Sequence, residues 1–176
     1  MYIRAPVALT ATTDAEYVIL RREAVVSVPK DIDPVAFAPM LCAGVTTFNG
    51  IRQMGVLPGE LVVIQGLGGL GHLAVQFAAK MGFRVVALSS SAGKEAFAKD
   101  FGATDYIDSS SEDPVAKLNS MGGAALIVAT APNPKAIAPL VGALQAGGKL
   151  LILARKLPPP LNHARSSCSV QSVRRG

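Results

Sequence analysis

The chain has 176 residues, half of them apolar and only 16% charged, with a formal net charge of +5. That apolar content excludes a disordered chain. No uninterrupted apolar run approaches the ~18 residues of a spanning helix, so no membrane association is expected.

Two cysteines, Cys42 and Cys168, do not make a disulfide framework, and a reducing, cytoplasmic setting is the default expectation. The charge is uneven. Residues 1–154 hold 12 basic and 12 acidic side chains, whereas 155–176 hold Arg155, Lys156, Arg165, Arg174 and Arg175 and no acid. This basic tail has no aromatic platform or reader motif behind it, so nucleic acid is not an expected partner. It is expected to be an irregular, solvated end.

Taken in chain order, 16-EYVIL-20 and 24-AVVSV-28 have strand character. Asp33-Pro34 reads as an N-cap followed by proline at the first helical position, with a helical segment to about Met40. A second helix over about 43–54 ends at Gly55, and 58-PG-59 is a turn. A strict alternation then begins. Strand 61-LVVIQ-65 precedes a helix over about 70–81, and strand 84-RVVAL-88 precedes a helix over about 93–101. The short strand 105-DYI-107 precedes a helix opened by Asp113-Pro114, and strand 124-AALIVA-129 precedes a helix opened by Asn133-Pro134. That last helix carries Ile137, Leu140, Val141 and Leu144 on one face and closes at 147-GG-148, before strand 149-KLLIL-153.

Five strands alternating with four helices predict an α/β fold, a doubly wound parallel sheet of the Rossmann type with five of the usual six strands. The expected organisation is a small remnant of a second domain at 1–40, a dinucleotide-binding domain at 41–154 and the tail at 155–176.

Gly66, Gly68 and Gly71 spell G-x-G-x-x-G within the elbow Gly66, Leu67, Gly68, Gly69, Leu70 and Gly71. The pattern alone is weak, but here it follows a strand and opens a helix. Gly66 permits the tight turn, Gly68 lets a pyrophosphate approach the backbone, and Gly71 lets the helix pack close to the strand. The helix N-terminus offers free N–H groups and a positive dipole end to phosphates.

The end of the next strand bears on cofactor type. NAD binders place an acid about 20 residues past the glycines, but this chain has 89-SSSAGK-94. Ser89, Ser90 and Ser91 offer hydroxyls and Lys94 a cation to a 2′-phosphate, so NADP(H) is expected over NAD. The plain alternative is a polar loop in which Ser91 caps the next helix.

The run 41-LCAGVTTFNGIRQMGVLPGELVVIQGLGGLGHLAVQFAAKMG-82, continued by 101-FGATDYID-108 and 125-ALIVATAPNPKAIAPLVGALQAGGKLLILA-154, resembles the medium-chain, zinc-dependent alcohol dehydrogenases. Within them it is most similar to the NADP(H)-using, cinnamyl-alcohol-type branch, and the resemblance covers about residues 14–154. It implies that Cys42 takes the place of a catalytic-zinc ligand and that Thr46 lies by the nicotinamide. Residues around Ala129, Thr130 and Ala131 would line the nicotinamide ribose side. The implied substrates are primary alcohols and aldehydes, and the implied full-length form is a homodimer. The segment at 1–40 would be the remnant of the family's catalytic, GroES-like domain.

The family's first cysteine, its G-H-E histidine and its four-cysteine structural site are not in this sequence. The chain is therefore expected to be truncated at both ends relative to the family and catalytically impaired, since a catalytic zinc needs three protein ligands. His72 is expected at the phosphate side or in packing, and for Cys42 a small buried thiol is the plain alternative. Two other functions remain open at this point: a non-catalytic NADP(H)-binding module, or a zinc-independent quinone-reductase-like enzyme.

Overall fold

The computed structural model describes residues 2–3, 22, 25–153 and 171–174. The chain divides into two compact units, Met1–Cys42 and Ala43–Gly176.

In the first unit, β1 (Tyr2–Ile3) and β2 (Val25–Val26) pair antiparallel, with Tyr2 opposite Val26. The strand expected over 16–20 lies outside the described residues. Helix α1 (Pro34–Phe37) starts where Asp33-Pro34 predicts: the Asp33 carboxylate accepts from the Val35 N–H at 3.0 Å. A 3-10 turn over Ala38–Leu41, with Pro39 inside it, carries the chain on to Cys42.

The second unit is built around alternating side chains on buried strands. It runs α2 (Ala43–Gln53), β3 (Leu61–Gln65), α3 (Gly69–Lys80), β4 (Arg84–Ser89), α4 (Glu95–Asp100), β5 (Asp105–Asp108), α5 (Pro114–Ser120), β6 (Ala124–Ala129), α6 (Pro134–Ile137), β7 (Leu144–Ile152) and β8 (Gln171–Arg174). Every residue of β3 and β6 is buried. Val62 and Ile64 of β3 join Val85, Ala87, Leu126 and Val128 in one core, together with Ala74, Val75 and Ala78 of α3. Leu61 and Val63 face the other way, into a core with Val86, Ile107, Ile127, Leu118 and Leu140. A parallel sheet with both faces covered needs apolar residues at every strand position, which is what these runs supply.

The sheet order is β5-β4-β3-β6-β7-β8, and the first five strands pair parallel, as the sequence predicts. The chain adds strands on one side of β3 and then returns to its other side with β6. That reversal opens a crevice at the carboxyl ends of β3 and β6, the position where such sheets take their ligands.

Two expectations need correcting. The sixth strand position is filled: Gln171–Arg174 of the tail lies antiparallel along β7, with Val173 opposite Leu150. The outer edge of β7 presents a row of backbone donors and acceptors, and four residues of the tail satisfy them. The remainder of the tail lies outside the described residues. The helix opened by Asn133 is also shorter than its apolar spacing implies. Pro139 has no N–H for the Lys135 carbonyl, so α6 gives way to a 3-10 turn over Ala138–Ala143, and Leu144 already begins β7.

No single helix among the described residues is long and apolar enough to cross a membrane.

The two-faced core makes a direct prediction. Leu126 is fully buried, whereas Leu57 is 68% exposed. Leu126→Ala should lower the unfolding free energy by about 2–5 kcal/mol in chemical denaturation, and Leu57→Ala should stay within about 0.5 kcal/mol.

Candidate functional site

The glycine elbow lies in the crevice. Gly66 ends β3 with φ +90°, and its N–H donates to the Leu88 carbonyl of β4 at 2.8 Å. A Cβ on Gly66 would stand 2.7 Å from the Ala131 Cβ, so only glycine fits between the two loops. At Gly71, within the first turn of α3, a Cβ would lie 1.8 Å from the Gly66 carbonyl oxygen. This glycine is what lets α3 sit down on the end of β3. Gly68 is the opposite case: nothing lies within 4 Å of the Cβ it lacks. The space beside Gly68 is open, and it adjoins the first turn of α3. His72 is the first residue of that turn whose N–H reaches a carbonyl, that of Gly68 at 3.0 Å. The N–H groups ahead of it are the orphan donors of a helix start, and they favour an anion.

Thr130 and Ala131, at the end of β6, are brought against this elbow. The Thr130 N–H donates to the Gln65 carbonyl at 2.9 Å. Its hydroxyl lies 2.9 Å from the carbonyl oxygens of both Gln65 and Gly66 and shares one proton between them. The Ala131 N–H donates to the Gln65 side-chain oxygen at 3.4 Å. Thr130 is therefore a clamp across the switch point, and its hydroxyl is turned toward the elbow backbone. Gln65, buried and bonded through both main chain and side chain, is a residue the sequence reading missed. The available signal was a lone polar residue closing an otherwise apolar strand.

Ser89, Ser90, Ser91 and Lys94 form the neighbouring rim. Gln65 pairs with Leu88, so Ser89 stands beside Gly66. Ser89 is buried, and its carbonyl accepts from the Ser109 N–H at 2.8 Å. Ser90, Ser91 and Lys94 are exposed. Ser91 occupies the cap position of the 3-10 turn Ala92–Lys94, but its side chain makes no capping hydrogen bond, so the simple capping expectation fails. The exposed loop carries two hydroxyls and one cation, and no carboxylate.

Three expected residues remain. His72 folds back on its own turn: Nδ1 donates to the Gly68 carbonyl at 3.2 Å and the ring packs 5.7 Å from Phe101. Thr46 is half-buried on α2, an element apart from the elbow, beside the fully buried Thr47, whose hydroxyl donates to the Ala43 carbonyl at 2.7 Å. Cys42 is exposed, which corrects the expectation of a buried thiol. It belongs to the first unit, where the chain turns out of a 3-10 segment. Among the described residues no three of His, Cys, Asp and Glu are grouped to hold a metal. His163 and Cys168 lie outside the described residues.

The residues therefore fit one expected group and not the other. An open glycine at a helix start, with its neighbours closed by Ala131 and the Gly66 carbonyl, suits a dinucleotide diphosphate. The described residues do not make a zinc centre.

Comparison with known proteins agrees with this architecture. Residues 69–172 match the family described as zinc-binding dehydrogenase. The chain belongs to that family. An alcohol dehydrogenase of Penicillium expansum, patD, is 61% identical over 140 residues, which is 80% of this chain and 41% of that protein. An alcohol dehydrogenase of Geobacillus stearothermophilus is 40% identical over 151 residues, 84% of this chain and 44% of that protein. The crystal structure of benzyl alcohol dehydrogenase from Acinetobacter calcoaceticus matches with a TM-score of 0.71 at 28% identity, over 77% of this chain and 39% of that one. The chain spans less than half the length of these relatives.

The elbow geometry separates two substitutions that look alike on paper. Gly71→Ala drives a methyl into the Gly66 carbonyl and should destabilise the domain by about 1–3 kcal/mol or more in thermal or urea unfolding. Gly68→Ala, at an open position with negative φ, should unfold within about 0.5 kcal/mol of the parent.

Proposed function

We propose that this chain is the NADP(H)-binding part of an oxidoreductase of the alcohol dehydrogenase type, in which primary alcohols and aldehydes are interconverted by hydride transfer. The observation that carries the reading is the open backbone at Gly68 beside a serine-rich, carboxylate-free rim. The names of the relatives, alcohol dehydrogenases at up to 61% identity, support the same class of reaction.

The residues divide the work by position. The backbone of Gly68–Gly71 receives the diphosphate, stabilised by the start of α3. Thr130 and Gln65 hold the elbow in the shape that receives it. Ser90, Ser91 and Lys94 face the adenosine end, with Ser89 beneath them. A 2′-phosphate carries about −1.5 to −2 charges, and the missing acid at this rim removes the repulsion it would meet. Thr130 and Ala131, at the end of β6, border the nicotinamide ribose side, and Thr46 stands at the reacting end. The nicotinamide cofactor, when bound, supplies or accepts the hydride.

Of the family's zinc ligands this sequence carries the counterpart of one, Cys42. Taken by itself, the 176-residue polypeptide binds the cofactor without turning over alcohols. Losing one well-placed electrostatic stabiliser of the substrate oxygen typically costs about 10²–10³ in rate, and here most of the set is absent.

The test is a fluorescence titration of the purified chain with NADPH and NADH. NADPH is expected to bind more tightly, and Ser89→Asp to weaken NADPH and favour NADH. Tighter NADH binding by the parent chain would refute the cofactor assignment. Steady NADPH consumption with an aromatic aldehyde, abolished by Cys42→Ser, would refute the claim that the polypeptide by itself is inactive.

A further inference from the structure

Tyr106 sits in the middle of β5, the outermost parallel strand, next to β4. Its ring packs against the core cluster that includes Val85, Ala87 and Ala98, and its hydroxyl donates a hydrogen bond to the Ser91 carbonyl. The phenol thus has one end in the core and the other on an exposed loop. We infer that Tyr106 is a positioning residue for cofactor selectivity: it braces the loop Ser89–Ser91 from below, so that its hydroxyls stand in the array a 2′-phosphate requires. This deepens the NADP(H) reading above and rests on it.

Three further observations support the brace. The loop has few other attachments: Ser91 makes no side-chain cap, its neighbour Ser90 is exposed, and the 3-10 turn that follows is held by the Lys94 N–H to Ser91 carbonyl bond at 3.3 Å. The same Ser91 carbonyl is therefore the shared acceptor that ties the loop both to the turn and to Tyr106. On the far side, Ser109 anchors only Ser89, through its N–H at 2.8 Å and its hydroxyl at 3.2 Å. Tyr106 alone, among the described side chains with a hydrogen bond to this loop, reaches past Ser89. Burial pushes the Tyr106 phenol above its ordinary range, with hydrogen bonding by Ser89 as a partial offset, so the group remains a donor at neutral pH. The Tyr106 hydroxyl is bonded at Ser91, on the rim away from the end of β6. Its effect is confined to the adenosine rim.

The consequence is a selective one. A hydrogen bond of this kind is worth little in overall stability, but an ordered array of donors loses affinity when its loop is released. NADH has no 2′-phosphate and asks nothing of the array.

The experiment is Tyr106→Phe in the full 176-residue chain, which keeps the ring in the core, with Kd measured for NADPH and NADH. NADPH affinity should fall about three- to tenfold, the equivalent of one hydrogen bond, while NADH affinity stays within about twofold. In a double-mutant cycle with Ser90→Ala, the two losses in NADPH binding should be non-additive, since one acts through the other. Equal losses for both cofactors, no loss for either, or strict additivity would overturn the inference. If the parent chain shows no preference for NADPH, it is the NADP(H) reading that fails; if the parent prefers NADPH and Tyr106→Phe keeps that preference unchanged, the bracing role fails.

Discussion

Among the described glycines, a missing side chain matters most beside the carbonyl oxygen of Gly66. The Thr130 hydroxyl approaches it to 2.9 Å, and a methyl at Gly71 would stand 1.8 Å from it. Helix α3 can start there only because residue 71 has no side chain. Once it starts there, its first N–H groups point into the crevice where the sheet reverses direction, and the remainder of the site is arranged around them.

The sheet makes this arrangement possible. Because β4 and β6 flank β3, the loops that leave them meet the glycine elbow from opposite sides, Ser89 from one and Thr130 from the other. The two apolar cores above and below fix the strands in register, and register decides which residues stand at the rim. Pairing Gln65 with Leu88 and Ala129 puts Gly66 between Ser89 and Thr130. A slip of one residue would turn every side chain of β3 to the wrong core. Buried polar residues have partners: Thr130 in the elbow carbonyls, Gln65 in the Ala131 N–H, and, on α2, Thr47 in the carbonyls of Ala43 and Gly44. Among the described residues no buried side-chain nitrogen or oxygen lacks one.

Much of this was legible in the sequence, for local reasons. Asp33, Asp113 and Asn133 each precede a proline, and each side chain caps its helix by accepting a main-chain N–H. The runs 61–65 and 124–129, apolar but for Gln65, fall on strands with the same bounds, as strands covered on both faces require. The roles of Gly66 and Gly71 follow from the G-x-G-x-x-G spacing together with its place between a strand and a helix. One failure is local and the others are tertiary. Helical periodicity through Leu144 overlooked Pro139, which breaks the hydrogen-bond ladder. The tail showed no periodicity, and four of its residues became a strand because the β7 edge offered them partners. Tyr106 carries no local signature, and Gln65 only that of a lone polar residue closing an apolar strand; their importance lies in which loop each reaches across the sheet.

The diphosphate cradle is the claim on which the functional account stands, and its backbone amides can be observed one at a time. A 15N-edited NMR titration of the chain with NADPH should move the amide resonances of Gly68, Gly69, Leu70 and Gly71 most, with smaller shifts at Ser90 and Ser91. Saturable binding that leaves those four amides where they were, with the shifts gathered on another face, would contradict it.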